Sequence, residues 1–199
     1  MVVLFAVGGG GDPERHRPLL DALADQGSRV IAPRFERLMP NATTEELLAR
    51  PRGLVEALEG TDGEVVVIGH SIGAWAALCL AGAVPWGRDR QPIEVPREPR
   101  VSRLVLLAPA AGWFAAPGAL DAVDVPMLVF AGSADVVTPV SQAELLLGAA
   151  GPVDLRVVPG AGHFSFLHAL PPGVAEDPAF DRERFLAEMV EETVEFSLR

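Results

Sequence analysis

The residues with the clearest chemical promise are Gly69-His70-Ser71-Ile72-Gly73. They follow an apolar, β-branched run, Val65–Ile68, and open an alanine-rich stretch, Ser71–Ala83. A strand that turns sharply into a helix lifts a serine hydroxyl clear of the sheet. The positions two before and two after that serine crowd the neighbouring chain, so both must be glycine or very small. Free N–H groups at the helix start then favour negative charge beside the hydroxyl. This spacing predicts a nucleophilic Ser71 suited to acyl transfer. The competing reading is a plain strand-to-helix turn with an N-capping serine.

A serine nucleophile needs a base, and the base needs an orienting acid. Of the 4 histidines, His163 stands in Gly160-Ala161-Gly162-His163-Phe164, directly after the last apolar run. That loop belongs at the carboxyl end of a parallel sheet, where ligands bind in such folds. His70 points away from the hydroxyl if the turn forms. His16 reads as a surface residue of the first helix, and His168, before Pro171-Pro172, is the rival base. The acid belongs between serine and histidine in chain order for this type of fold. Asp135, in Gly132-Ser133-Ala134-Asp135, fits that order; Asp121 and Asp124 precede their strand and emerge at its wrong end. Taken alone, Asp135 reads as a turn or capping residue before Pro139.

An oxyanion site completes the set. One donor is expected to be the N–H of Ile72, the residue after the nucleophile. The other is expected from Gly8-Gly9-Gly10-Gly11, after the first apolar run, with Gly9 the choice. Glycines there let main-chain N–H groups approach a ligand closely. A phosphate cradle is excluded, because Pro13 stands where a dinucleotide fingerprint needs its third glycine, and a P-loop needs a lysine.

No lysine occurs among the 199 residues; all 16 basic residues are arginine, and tyrosine is absent. Schiff-base chemistry, a lysine base and a tyrosine acid are therefore excluded. The formal net charge of −11 repels nucleic acid and acidic lipid, so neither is an expected partner. Single Cys79 forms no internal disulfide, and there is no zinc-type Cys/His cluster, which points to the cytoplasm and to no metal or cofactor. Met1–Val7 lacks the basic flank and cleavage site of a signal peptide. The longest apolar run, Ile72–Trp86, is short for a membrane span and suits a buried helix. The abundance of Arg, Ala, Pro, Gly and Val suggests a bacterial, high-GC source.

These residues must be positioned by a regular alternation of elements. Val2–Val7, Ser28–Ala32, Glu64–Ile68, Arg103–Ala108, Met127–Ala131 and Leu155–Val158 are continuous apolar runs, as expected of strands buried on both faces of a parallel sheet. Helical patterns lie over Pro13–Gln26, Thr43–Leu58, Ser71–Ala83, Pro139–Leu147 and Pro178–Phe196. Thr43 with Glu46 has capping-box spacing, and Pro51–Gly53 is a weak point. Pro85–Pro99 and Pro109–Asp124 read as loops. The expectation is one α/β domain over residues 1–199, with a doubly wound, mainly parallel six-stranded sheet.

With these motifs in the order Ser71, Asp135, His163, the chain resembles the α/β-hydrolase superfamily over nearly its whole length. The stretch from His163 to Phe185 resembles that of bacterial dienelactone-hydrolase-like and related esterases. Two positions depart from the pattern: Val7 stands where the family often has histidine, and Pro33-Arg34-Phe35 replaces its usual aspartate. The family's first two strands are missing, so the resemblance implies a minimal core. Only about sixteen residues, Pro109–Asp124, fill the place where lids are inserted, which predicts no cap domain and an open, shallow site. Trp113 and Phe114 lie in that segment and either line an acyl pocket or pack on the sheet edge. Trp75 and Cys79, one turn apart, are expected in the core. The implied activity is hydrolysis of a small-molecule ester by an acyl-enzyme; a thioesterase and a non-catalytic binding protein are the alternatives. The oligomeric state is not legible.

Overall fold

The computed structural model describes residues 1–39 and 41–199. Six parallel strands form one sheet in the order β2-β1-β3-β4-β5-β6: β1 Val2–Ala6, β2 Arg29–Ile31, β3 Val65–His70, β4 Val101–Leu107, β5 Met127–Gly132 and β6 Val153–Val158. The order reverses at β1, because β2 lies on one side of it and β3 on the other. The loops leaving β1 and β3 therefore diverge at adjacent strand ends, the switch point at which open α/β sheets bind ligands.

Helices cover both faces. α1 (Arg17–Asp25) and α5 (Arg182–Leu198) pack Leu19, Leu23, Phe185 and Met189 against one face, which carries Val3, Phe5, Val66 and Ile68. On the other face, α2 (Thr44–Ala57), α3 (Ile72–Leu80) and α4 (Val140–Glu144) cover Leu4, Val65, Val67 and Leu106. Neighbouring residues of a strand thus enter different cores, so the strands read as unbroken apolar runs. That expectation fails for β2 and β6, which stand at the edges and are partly exposed. Trp75 and Cys79 on α3 are fully buried, as expected.

Local chemistry sets the helix ends. Thr43 accepts from the Glu46 N–H at 3.2 Å and its own N–H donates to Glu46 Oε2 at 2.7 Å, closing the capping box. α2 then runs through Pro51 without a break. The first helix is instead divided into a 3-10 turn, Pro13–His16, and α1; Pro18 lacks the N–H that would continue an α-helix across that point. The closing helix starts at Arg182, later than Pro178, because Asp181 caps it by accepting from the Arg184 N–H. Pro139 sits one position before α4, which tightens into a 3-10 turn at Leu145–Gly148. Between β4 and β5 the chain holds only a 3-10 turn, Ala111–Phe114. Among the described residues, no helix is long and apolar enough to cross a membrane.

Candidate active site

Ser71 occupies the tip of the β3–α3 turn with φ 56° and ψ −120°, a conformation L-residues rarely adopt. The packing around it demands glycine. A Cβ on Gly73 would lie 2.0 Å from the Ala6 carbonyl oxygen, and one on Gly69 would lie 2.6 Å from the Ala74 main chain. The Ser71 N–H donates to Leu107 O at 2.9 Å and its carbonyl accepts from the Ala110 N–H at 3.2 Å, so the turn is braced by β4 and its loop. The hydroxyl makes no capping bond to α3. It is therefore free to face the cleft.

Its partner is His163, whose Nε2 lies 2.9 Å from Ser71 Oγ. His163 Nδ1 lies 2.8 Å from Asp135 Oδ2. A carboxylate only accepts, so Nδ1 carries the proton and Nε2 is left to accept from the serine. Asp135 also does what its turn position suggested. Its Oδ1 accepts from the N–H groups of Val137 (2.7 Å) and Thr138 (2.8 Å), while Oδ2 faces the imidazole. One oxygen of the carboxyl thus makes the turn while the other faces the His163 ring. Burial pushes the Asp135 carboxyl up, but hydrogen bonds from His163 and Thr138 outweigh it and hold the carboxyl below its usual range. It is a buried anion aimed at an imidazole.

Ile72 and Gly9 line the same cleft as Ser71. Ile72 is the first residue of α3, where an N–H has no intrahelical acceptor. Among the described residues, neither N–H donates to a carbonyl in a turn, loop or cap. Both are available to a ligand.

The cleft beside Ser71 is open, as expected for a capless chain, and roomy. Its volume is about 1180 Å³, and it is walled on two sides. One wall is the segment that leads into α2, with Leu38 and Met39, together with Leu47 of the helix itself. The other is a small hairpin inside the stretch read as loop, where Trp86 pairs with Pro92. Its Trp86 N–H donates to Trp113 O at 2.8 Å. Trp113 lines the cleft and packs on Trp75, with ring centroids 6.2 Å apart. Phe114 does not line it; its side chain is buried in the core. Neighbouring residues of a 3-10 turn point roughly 120° apart, which sends one ring to each environment.

His70 bonds to the His163 carbonyl and not to Ser71, as its place in the turn predicts, whereas His16 departs from the surface position expected of it. His16 is buried, not superficial, and its ring packs at a tilt of 51° on Phe5, with centroids 4.6 Å apart. His70 lies between them in space: its ring is 5.4 Å from that of His16 and 5.2 Å from that of His163. His168 is tied by its N–H to Arg15 O and takes no part around Ser71. Thr138 escaped notice in the sequence. Its hydroxyl lies 2.8 Å from Asp135 Oδ2, 3.1 Å from His163 Nδ1 and 3.1 Å from Ala108 O. The only sequence signal was a hydroxyl residue three positions after the acid.

A family model described as "Alpha/beta hydrolase family" matches residues 3–123. The chain belongs to the alpha/beta hydrolase family. Solved structures of similar shape include an esterase of Thermogutta terrifontis with propionate bound, 19% identical over 99% of this chain and 82% of that one, with a TM-score of 0.68. A monoacylglycerol lipase of Paleococcus ferrophilus is 16% identical over 98% of this chain and 94% of that one, with a TM-score of 0.64. A serine hydrolase involved in carbazole degradation is 18% identical over 100% of this chain and 91% of that one, with a TM-score of 0.64. No curated protein matches the sequence.

Proposed function

We propose that this chain is a serine hydrolase that cleaves a carboxylic ester of a small molecule through an acyl-enzyme on Ser71. The observation that carries the reading is the unbroken relay from Ser71 Oγ to His163 Nε2, 2.9 Å, and from His163 Nδ1 to Asp135 Oδ2, 2.8 Å. Ser71 Oγ attacks the ester carbonyl as His163 Nε2 takes its proton. Asp135 keeps the imidazole in the tautomer that allows this and stabilises the imidazolium that forms. The N–H groups of Gly9 and Ile72 receive the developing oxyanion. His163 returns the proton to the leaving alcohol, the acyl group stays on Ser71, and water activated by the same histidine releases the acid. Trp113 and Trp86 give the acyl chain an apolar wall. The family membership, and the similarity in fold to an esterase and a monoacylglycerol lipase, support hydrolysis in general.

The test is active-site labelling. A fluorophosphonate should phosphonylate Ser71, located by peptide mass spectrometry, and Ser71→Ala should abolish p-nitrophenyl ester turnover while the fold persists by circular dichroism. Retained turnover in that variant overturns the reading. Acyl-CoA assayed in parallel decides between oxygen and sulfur esters.

A further inference from the structure

Arg50 is the only buried arginine among the described residues, at 3% exposure. It lies on α2, against the segments that carry Val7, Gly9 and Glu36. Among the described residues it forms no ion pair; its partners are main-chain carbonyls. Nη1 donates to Val7 O at 3.1 Å, and Nη2 faces Gly9 O and Glu36 O, each at 3.4 Å. The guanidinium also lies over the Phe35 ring, 5.3 Å from its centroid. A charge buried this deeply costs several kcal/mol in solvation. Carbonyl dipoles recover part of that cost without cancelling the charge, whereas a carboxylate would cancel it. Burial lowers its pKa to about 10, so it stays cationic at neutral pH.

The loop it holds has little stiffness of its own. Cβ atoms built on Gly9 and Gly10 meet nothing within 4 Å, so no side-chain packing restrains that stretch. Glycine carries more backbone freedom than any other residue. Yet a donor to an oxyanion has to be placed to within about 0.5 Å. Three successive peptides are instead held by hydrogen bonds. Arg50 takes the Val7 carbonyl, the Gly11 N–H takes the Gly8 carbonyl at 3.0 Å, and Arg50 with the Leu38 N–H takes the Gly9 carbonyl. The middle peptide of the three carries the Gly9 N–H.

We infer that Arg50 is a positioning residue for the oxyanion site: its guanidinium clamps the peptides on either side of the Gly9 N–H and leaves an uncancelled positive charge behind it. This rests on the reading of Gly9 as an oxyanion donor. The role is electrostatic and geometric at once, and it reaches the transition state through the loop, not by contact with substrate.

The test uses Arg50→Met and Arg50→Lys, with p-nitrophenyl butyrate as substrate and an aryl trifluoromethyl ketone, which forms an oxyanionic adduct on serine, as transition-state analogue. Loss of an oxyanion donor costs about 10²–10³ in kcat. Loosening one should cost Arg50→Met roughly 10–10²-fold in kcat with KM changed less than about threefold. The ketone should lose affinity by a similar factor. Amide hydrogen exchange across residues 8–11 should quicken in the same variant. Arg50→Lys keeps a charge but not the fork and should fall between; it carries the test if Arg50→Met fails to fold. Wild-type kcat and ketone affinity in either folded variant overturn the inference, as does a loss confined to KM. If the wild type itself is not labelled by a fluorophosphonate, the reading of the site fails and this inference falls with it.

Discussion

The His70 ring supports the loop that carries His163: Nε2 of His70 lies 3.1 Å from the His163 carbonyl oxygen. A carbonyl only accepts, so His70 Nε2 bears the proton. The residue next to the proposed nucleophile in sequence therefore holds the proposed base from behind. The two turns that must meet are tied by this bond as well as by the one between their reactive atoms.

The burial of His70 predicts how stability depends on pH. Burial first, then the nearness of His163, pushes His70 down to about 3, although His163 O and Asp135 act the other way. Burial, with His70, His168 and Arg15 nearby, also lowers His16. In the unfolded chain each histidine takes up its proton near pH 6.5. Between about 6.5 and 3 the unfolded state therefore binds more protons, and stability falls as the pH drops through that window. From pH 7 to pH 5 His70 alone should cost about 2 kcal/mol. Urea unfolding of His70→Gln should show a pH 7-to-5 decline smaller by about that amount. An unchanged decline would mean that His70 is protonated in the native state.

Thr138 should matter for activity beyond its place in the core. Thr138→Val keeps the shape but removes the hydroxyl shared by Asp135, His163 and Ala108 O. A hydrogen bond to a charged group is worth roughly 1.5–3 kcal/mol. Steady-state assays should show kcat lower by about tenfold in Thr138→Val and near wild type in Thr138→Ser. Equal activity in all three would remove the hydroxyl from the account.

The crowding at the turn separates two glycines cleanly. Gly73→Ala places a methyl 2.0 Å from the Ala6 carbonyl oxygen, against main chain that cannot yield, while Gly10→Ala meets open space. The first should destabilise by about 3 kcal/mol, roughly 6–12 °C in Tm for a chain of this length. The second should leave Tm within about 2 °C. Thermal melts of the pair check this, and similar melting of both would contradict the packing.

The hairpin wall predicts acyl preference. Trp86→Ala removes a ring from the cleft lining without touching Ser71, His163 or Asp135. Its kcat/KM should drop about tenfold for octanoate and benzoate esters and change little for acetate. A uniform loss across chain lengths would place Trp86 outside the acyl path.

Ser71, Asp135 and His163 were legible because each follows an apolar run and sits in a turn of small residues. Such turns have few alternatives in a chain this regular. Arg50 was not legible, because its partners are carbonyls and every residue has one. The burial of His16 depends on the 3-10 turn before α1 folding back over Phe5, which helical periodicity does not encode. The partial exposure of β2 and β6 follows from strand order, a property of the sheet that no single strand carries. The hairpin beside the cleft was not legible, because Pro85–Pro99 has the composition of a loop and its bridge, Trp86 with Pro92, gives no alternating pattern. Two neighbouring rings, Trp113 and Phe114, look alike in sequence and go to opposite fates.

The hairpin at Trp86–Pro92 is closed on itself by the Ile93 N–H donating to Pro85 O, and it meets the body through the Trp86 N–H donating to Trp113 O, both 2.8 Å, and through the packing of Trp86 and Ile93 on the core. It contributes no strand to the sheet and holds none of the hydrogen-bonded relay. One wall of the cleft thus stands on a piece of chain apart from Ser71, His163 and Asp135. A hairpin of another length, spliced between residues 85 and 93, would reshape that wall and leave the strand ends that carry Ser71, His163 and Asp135 as they are, so the small scaffold holds one replaceable part beside its cleft.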